Sequence, residues 1–162
     1  MRVDKPIGFL LLMWPVLWAF IISAEGSPSV FYMAIFAVGI IATRSAGCII
    51  NDYFDQDFDL KVERTKNRVL ATKQVSNQEA LILFGLLIIL SFILLLMLEL
   101  KIILLAIYSL FLLVIYPLTK RYFKIPQLIL GMAFGSSIPM VFILEKGSID
   151  YNCIILYILT IS

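Results

Sequence analysis

The 162 residues are 62% hydrophobic and only 15% charged, with a mean hydropathy of +1.02 and a formal net charge of +2. Soluble domains lie nearer half apolar and a quarter charged, so this composition excludes a water-soluble globule and implies an integral membrane protein. The small net charge, without a basic face carrying interleaved aromatics, gives no nucleic-acid partner, and there is no histidine.

The apolar runs have helical spanning length and lack the alternation of a transmembrane barrel. The expected fold is therefore an all-α, polytopic transmembrane helix bundle. Span 1 covers roughly 7–23 and contains Pro15; it starts after six residues and outlasts a signal-peptide core, so it reads as a span and not as a cleavable signal. "AEGSPS" is a turn. Span 2 covers about 30–50, and a polar segment follows over 51–78. Span 3 covers about 80–98 and reverses at "ELK". Span 4 covers about 102–118, and span 5 about 126–144. The apolar stretch 151–162 is shorter than the roughly 20 residues a span requires, so it is expected to begin a sixth helix. Residues 1–162 then form a single transmembrane helical domain, expected to be incomplete at its C-terminus. Cys48 and Cys153 both fall in spans and are expected to be buried thiols.

The bases set the orientation. Arg2 and Lys5 precede span 1, five bases from Lys61 to Lys73 follow span 2, and Lys120, Arg121 and Lys124 follow span 4. The other side carries Lys101 and Lys146. The positive-inside rule places the 51–78 and 119–125 loops in the cytoplasm.

Chemistry concentrates at the end of span 2, in "INDYFDQDFDLKVERTKNR", residues 50–68. If that helix continues through residue 59, Asp52, Asp55 and Asp59 share one arc at about 100° per residue. Asn51, Cys48 and Arg44 lie on the same arc, and Asp57 points away. Like charges at this spacing repel, and a helix C-terminus disfavours anions. A cation between the carboxylates removes both penalties, and Mg²⁺ suits one or two carboxylates completed by water and phosphate oxygens. Arg44 within a span is costly and points to function. Arg64 and Arg68 stand one helical turn apart beyond the carboxylates, where paired arginines would hold a diphosphate; Lys61 is a further candidate. An EF-hand is excluded, because Leu60 and Lys66 stand where its loop needs Gly and Glu. The acids also depart from the CDP-alcohol phosphotransferase pattern, since Gln56 follows Asp55.

"RSAGCIINDYFDQDFD" resembles the first Asp-rich motif, NDxxDxxxD, of the UbiA-type membrane prenyltransferases. "RVDKPIGFLLLMWPVLWA", "DLKVERTKNRVLATKQVS" and "YPLTKRYFKIPQLILGMAFGSSIPM" are similar to the opening, the post-motif loop and the fourth and fifth helices of the 4-hydroxybenzoate polyprenyltransferases. One departure is Val69, where the family has proline. The resemblance implies the first five to six of about nine helices. It implies transfer of a polyprenyl group from polyprenyl diphosphate to 4-hydroxybenzoate, in ubiquinone biosynthesis at the bacterial inner membrane, with Mg²⁺ as cofactor and the lipid bilayer as setting. Asp52, Asp55 and Asp59 are then catalytic metal ligands, and Asn51, Lys61, Arg64 and Arg68 bind diphosphate. Arg44 takes either the aromatic carboxylate or a phosphate. The alternatives are a non-catalytic fragment of such an enzyme, or a transporter or channel subunit with a cation-binding mouth. "GMAFG" carries Gly131 and Gly135 at the spacing of close helix packing, and Pro15, Pro117 and Pro139 are expected to shape a cavity.

Overall fold

A computed structural model describes residues 7–63, 65–122 and 126–161, and among them every regular element is an α-helix. In chain order they are α1 (Ile7–Ser23), α2 (Val30–Phe54), α3 (Gln56–Asp59), α4 (Asn77–Leu96), α5 (Leu100–Tyr122), α6 (Pro126–Gly135), α7 (Ser137–Lys146) and α8 (Tyr151–Ile161). Among the described residues three stretches are long and apolar enough to cross a membrane: Val30–Phe54, Asn77–Leu96 and Gln127–Lys146. The chain is thus a multi-pass integral membrane protein. Shorter apolar helices are Ile7–Ser23, Leu100–Tyr116 and Tyr151–Ile161.

The expected spans correspond to these elements with three differences. Span 2 runs on to Phe54, past its expected end at 50. Span 4 extends from Leu100 to Tyr122, passing Pro117 without ending. Span 5 is two helices that meet at Ser136. Pro139 explains the last break: it donates no amide proton, and its ring crowds the carbonyl four residues back, on Gly135, where α6 stops. Helix α4 starts in the polar loop with a capping box. Ser76 Oγ accepts from the Glu79 amide, and the Glu79 carboxylate accepts from the Ser76 amide.

Two clusters hold the bundle. In the first, Val16, Ala19 and Phe20 of α1 meet Phe36 of α2, Ile102 of α5, Ile138 to Phe142 of α7 and Cys153 of α8. Phe20 and Phe36 pack edge to face with centroids 5.4 Å apart. In the second, the small side chains Ala42 and Ala46 of α2 and Ala80 of α4 let those two helices approach closely, and Leu70 folds in from the polar loop. The glycine pair in "GMAFG" receives α8. A Cβ on Gly131 would stand 3.2 Å from the Ile161 backbone, and one on Gly135 3.0 Å from the Tyr157 ring. The remaining helix faces are apolar and exposed, as lipid requires.

The Ser29 amide at the start of α2 donates to Glu145 Oε1 at the end of α7, 3.2 Å away. The α1–α2 and α7–α8 turns therefore share one end of the bundle. The acidic cluster lies at the other end of α2, roughly 37 Å along a helix of this length.

Candidate functional site

At that far end, α2 does not continue through residue 59 as the arc of carboxylates requires. It stops at Phe54. Asp55 takes φ −97° and ψ 5°, outside helical geometry, and a separate turn, α3, follows. The Asp55 amide still donates to the Asn51 carbonyl, closing the last turn of α2. This junction re-aims Asp59, so the shared face does not arise from a continuous helix.

A different device brings two of the acids together. Arg68, in the loop beyond α3, places one guanidinium nitrogen, Nη1, 3.1 Å from Asp52 Oδ1 and 2.6 Å from Asp59 Oδ2. All three side chains are largely withdrawn from water: Arg68 and Asp52 are each 18% exposed and Asp59 is 10% exposed. Charge-assisted contacts so sheltered are stronger than surface pairs, and removing Arg68 would leave two desolvated carboxylates without its compensating charge.

The loop is tied down by residues that the sequence reading did not single out. Thr65 is buried, and its hydroxyl donates to the Asp59 carbonyl at 3.1 Å. Leu70 and Ala71 are buried behind Arg68 in sequence. Gln56 donates to the Tyr53 carbonyl and to Asn77 Oδ1, joining the acidic turn to the start of α4. Threonine and glutamine in a charged loop carry no sequence signal for these contacts.

The other expected site residues are placed as follows. Asn51 is half-buried one turn before Asp55, while Lys61 and Asp57 are exposed. Arg64 lies outside the described residues. Arg44 sits within the bundle. Its guanidinium carbon stands 5.9 Å from the centre of the Phe134 ring on α6, and a Cβ on Gly8 of α1 would meet its Nη2 at 3.2 Å. Three helices thus converge on one intramembrane cation, with an aromatic face as one support. Among the described residues no carboxylate forms an ion pair with Arg44.

Phe134 also lines an apolar cavity of about 230 Å³. The cavity is walled by α1, α2, α4, α5, α6 and α7, with Gly39, Phe36, Leu95, Ala106 and Met140 among its lining. Its polar side chains are four hydroxyls, Thr43, Ser91, Ser109 and Ser137, and each donates to a helix carbonyl. The wall is therefore effectively hydrocarbon. It begins one residue from Arg44, and Asp52 lies about 12 Å further along the α2 axis at ~1.5 Å per residue.

Whether a divalent cation suits the acidic end can be judged from Arg68. Two carboxylate oxygens from different segments converge on one cationic nitrogen, so the protein already presents a two-carboxylate niche for positive charge. Mg²⁺ accepts such a pair and completes its shell with water and phosphate oxygens. Among the described residues no three Asp, Glu, Cys or His side chains gather closely enough to ligate a metal by themselves, so Asp55 does not complete a triad in this conformation.

A polytopic helical membrane bundle with an acidic, arginine-bridged helix end over an apolar cavity is the class that fold and site define. The chain belongs to the UbiA prenyltransferase family, whose model matches residues 12–162. It is 54% identical over 149 residues to a 4-hydroxybenzoate octaprenyltransferase of Azoarcus sp. (strain BH72), covering 92% of this chain and 52% of the relative. It is 46% identical over 158 residues to a protein of the same name from Ectopseudomonas mendocina (strain ymp), covering 98% and 53%. The chain spans about half the length of the curated relatives it matches. A UbiA homolog from Aeropyrum pernix K1 superposes with a TM-score of 0.75 at 23% identity, over 95% of this chain and 57% of the other. A digeranylgeranylglyceryl phosphate synthase superposes with a TM-score of 0.79 at 20% identity, over 98% and 59%. Those two likenesses establish the fold.

Proposed function

We propose that the chain supplies the diphosphate-binding half of an enzyme that transfers a polyprenyl group from polyprenyl diphosphate to 4-hydroxybenzoate, a step of ubiquinone biosynthesis. The observation that carries this reading is the convergence of Asp52 and Asp59 on one cation at the end of a membrane helix. The names of the half-matching relatives support the substrate pair. Bound Mg²⁺ would draw charge from the departing diphosphate. Asp52 and Asp59 would hold that ion, with Asp55 and Asn51 beside them, and Arg64, Arg68 and Lys61 would meet the phosphate oxygens. The allylic C–O bond breaks with its electron pair passing to diphosphate. The ring carbon next to the phenol supplies the pair for the new C–C bond and then loses its proton to water or to the released diphosphate. Arg44 would hold the aromatic carboxylate, or a phosphate, at the mouth of the cavity. The cavity is hydrocarbon-lined and suits the prenyl chain, whose remainder stays in lipid.

The excess of bases around the 51–78 loop supports a cytoplasmic face for this site, in a bacterial inner membrane. A transporter would need polar or charged groups along its path, whereas every hydroxyl of this cavity is bonded back to a helix.

The test joins residues 1–162 to the second half of the Azoarcus sp. relative. Membranes carrying the chimera are given radiolabelled polyprenyl diphosphate, 4-hydroxybenzoate and Mg²⁺. Prenylated hydroxybenzoate is expected. A folded chimera that forms none, beside an intact relative that does, would overturn the reading.

A further inference from the structure

We infer that Arg68 occupies the cation position between Asp52 and Asp59, and that the site takes a divalent metal tightly only as a metal–diphosphate complex, because diphosphate gives Arg68 an alternative partner. The inference rests on the proposed metal-binding role of the two carboxylates.

The geometry leads there directly. One nitrogen, Arg68 Nη1, contacts Asp52 Oδ1 at 3.1 Å and Asp59 Oδ2 at 2.6 Å. A metal ion bound by the same two oxygens needs the space that this nitrogen fills. Bare Mg²⁺ must therefore displace a guanidinium that is over four-fifths buried. The displaced charge, left without a partner and beside a divalent ion, has an unfavourable destination. A diphosphate removes that obstacle. Its oxygens complete the metal's shell, and they accept the guanidinium fork, which matches phosphate geometry. Arg68 can make this exchange without unfolding its loop. The loop is anchored separately, by Thr65 on the Asp59 carbonyl and by buried Leu70 and Ala71, and not through the guanidinium.

The arrangement has two consequences. In the absence of substrate Arg68 offsets part of the carboxylate charge without metal and holds Asp52 and Asp59 together across the acidic turn. Metal and diphosphate each raise the affinity for the other, and Arg68 carries part of that coupling. A fixed structural strut would behave differently, because removing it would loosen the site towards both ligands.

The experiment uses the full 162-residue chain in lipid nanodiscs, with ⁵⁴Mn²⁺ and inorganic diphosphate as probes and retained Mn²⁺ as the readout. In the parent chain Mn²⁺ alone binds weakly and diphosphate strengthens it. In Arg68→Gln, Mn²⁺ alone is expected to bind roughly tenfold more tightly, as removal of one adjacent positive charge requires, and the gain from diphosphate is expected to shrink by a similar factor. Arg68→Lys keeps the charge on a shorter side chain without the planar fork, so it is expected to hold the two carboxylates less closely. It moves both quantities in the same directions by less, and it serves as the measurement if Arg68→Gln does not fold. Unchanged or weaker binding of Mn²⁺ alone in the folded variant, with coupling intact in the parent, overturns the exchange and leaves the metal site standing. Failure of parent and variants to retain Mn²⁺ under any condition overturns the metal site, and the exchange with it.

Discussion

The two ends of the bundle each hold an acid–base contact with a nitrogen–oxygen distance near 2.7 Å, and the two have little else in common. At the α7–α8 turn, Lys146 meets Asp150 at 2.7 Å, one helical turn away in sequence, with Lys146 exposed and Asp150 partly so. The hydrogen bond from Lys146, joined by the Cys153 amide, lowers the Asp150 carboxyl below its ordinary range. That pair follows from local spacing, and Asp150 also caps α8 through the amide. At the other end, Arg68 reaches two carboxylates on separate elements, and all three side chains are withdrawn from water. Contact distance therefore says little about purpose. Burial and convergence from distant segments separate a candidate binding niche from a surface pair.

Four substitutions probe that difference. The largest effect belongs to Asp52→Asn in the chimeric enzyme, where, on the proposed function, loss of one charged metal ligand should lower prenyl transfer roughly 10²–10³-fold. Transfer that stays near the parent level would place the chemistry elsewhere. Next, Asp59→Asn in the metal-free chain should cost about 1–3 kcal/mol of stability by removing the shorter of Arg68's two charge-assisted contacts. Unfolding in graded SDS measures it, and a change within error would reduce the buried contact to the standing of the surface one. Asp57→Asn should leave most transfer activity, because that side chain is exposed on the same turn. A loss as large as that for Asp52→Asn would mean that exposure does not sort these acids. Finally, Lys146→Met should leave the melting temperature unchanged, since the Cys153 amide still caps on Asp150. A clear drop would show that the exposed pair matters to the fold.

Much of this was legible in the sequence. Among the described residues hydropathy located the apolar segments, with α6 and α7 read as one span, and Ile7–Ser23 matches its expected bounds. The glycines at 131 and 135 announced a close helix contact, and α8 fills it. The acidic cluster, its basic loop and Arg44 were all visible as costly residues in or beside lipid. The arrangement within the site was not. A single helical period through residue 59 puts Asp52, Asp55 and Asp59 on one face, but the chain breaks at Asp55. Sequence spacing cannot foresee that break, because Asp55 itself supplies no helix-stopping glycine or proline. The pairing of Arg68 with Asp52 depends on a loop path fixed by Thr65, Leu70 and Ala71, contacts between residues far apart in the chain. Nothing in the sequence marks Phe134, among so many aromatics, as the ring that lies beneath Arg44.

The contact between Ser29 and Glu145 bears on how the protein is made. The two residues are 116 positions apart, and the apolar face of α1 is completed by the same helix, α7, that carries Glu145. At synthesis rates of roughly 5–20 residues per second, the first hairpin leaves the ribosome about 6–23 seconds before its partner exists. During that interval α1 and α2 stand in the bilayer with lipid against Val16, Ala19 and Phe20, and the Ser29 amide must borrow interfacial water. Packing of α1 is therefore completed only when α7, made more than a hundred residues later, docks against it, and until then α1 is the segment a membrane-insertion chaperone would have reason to guard.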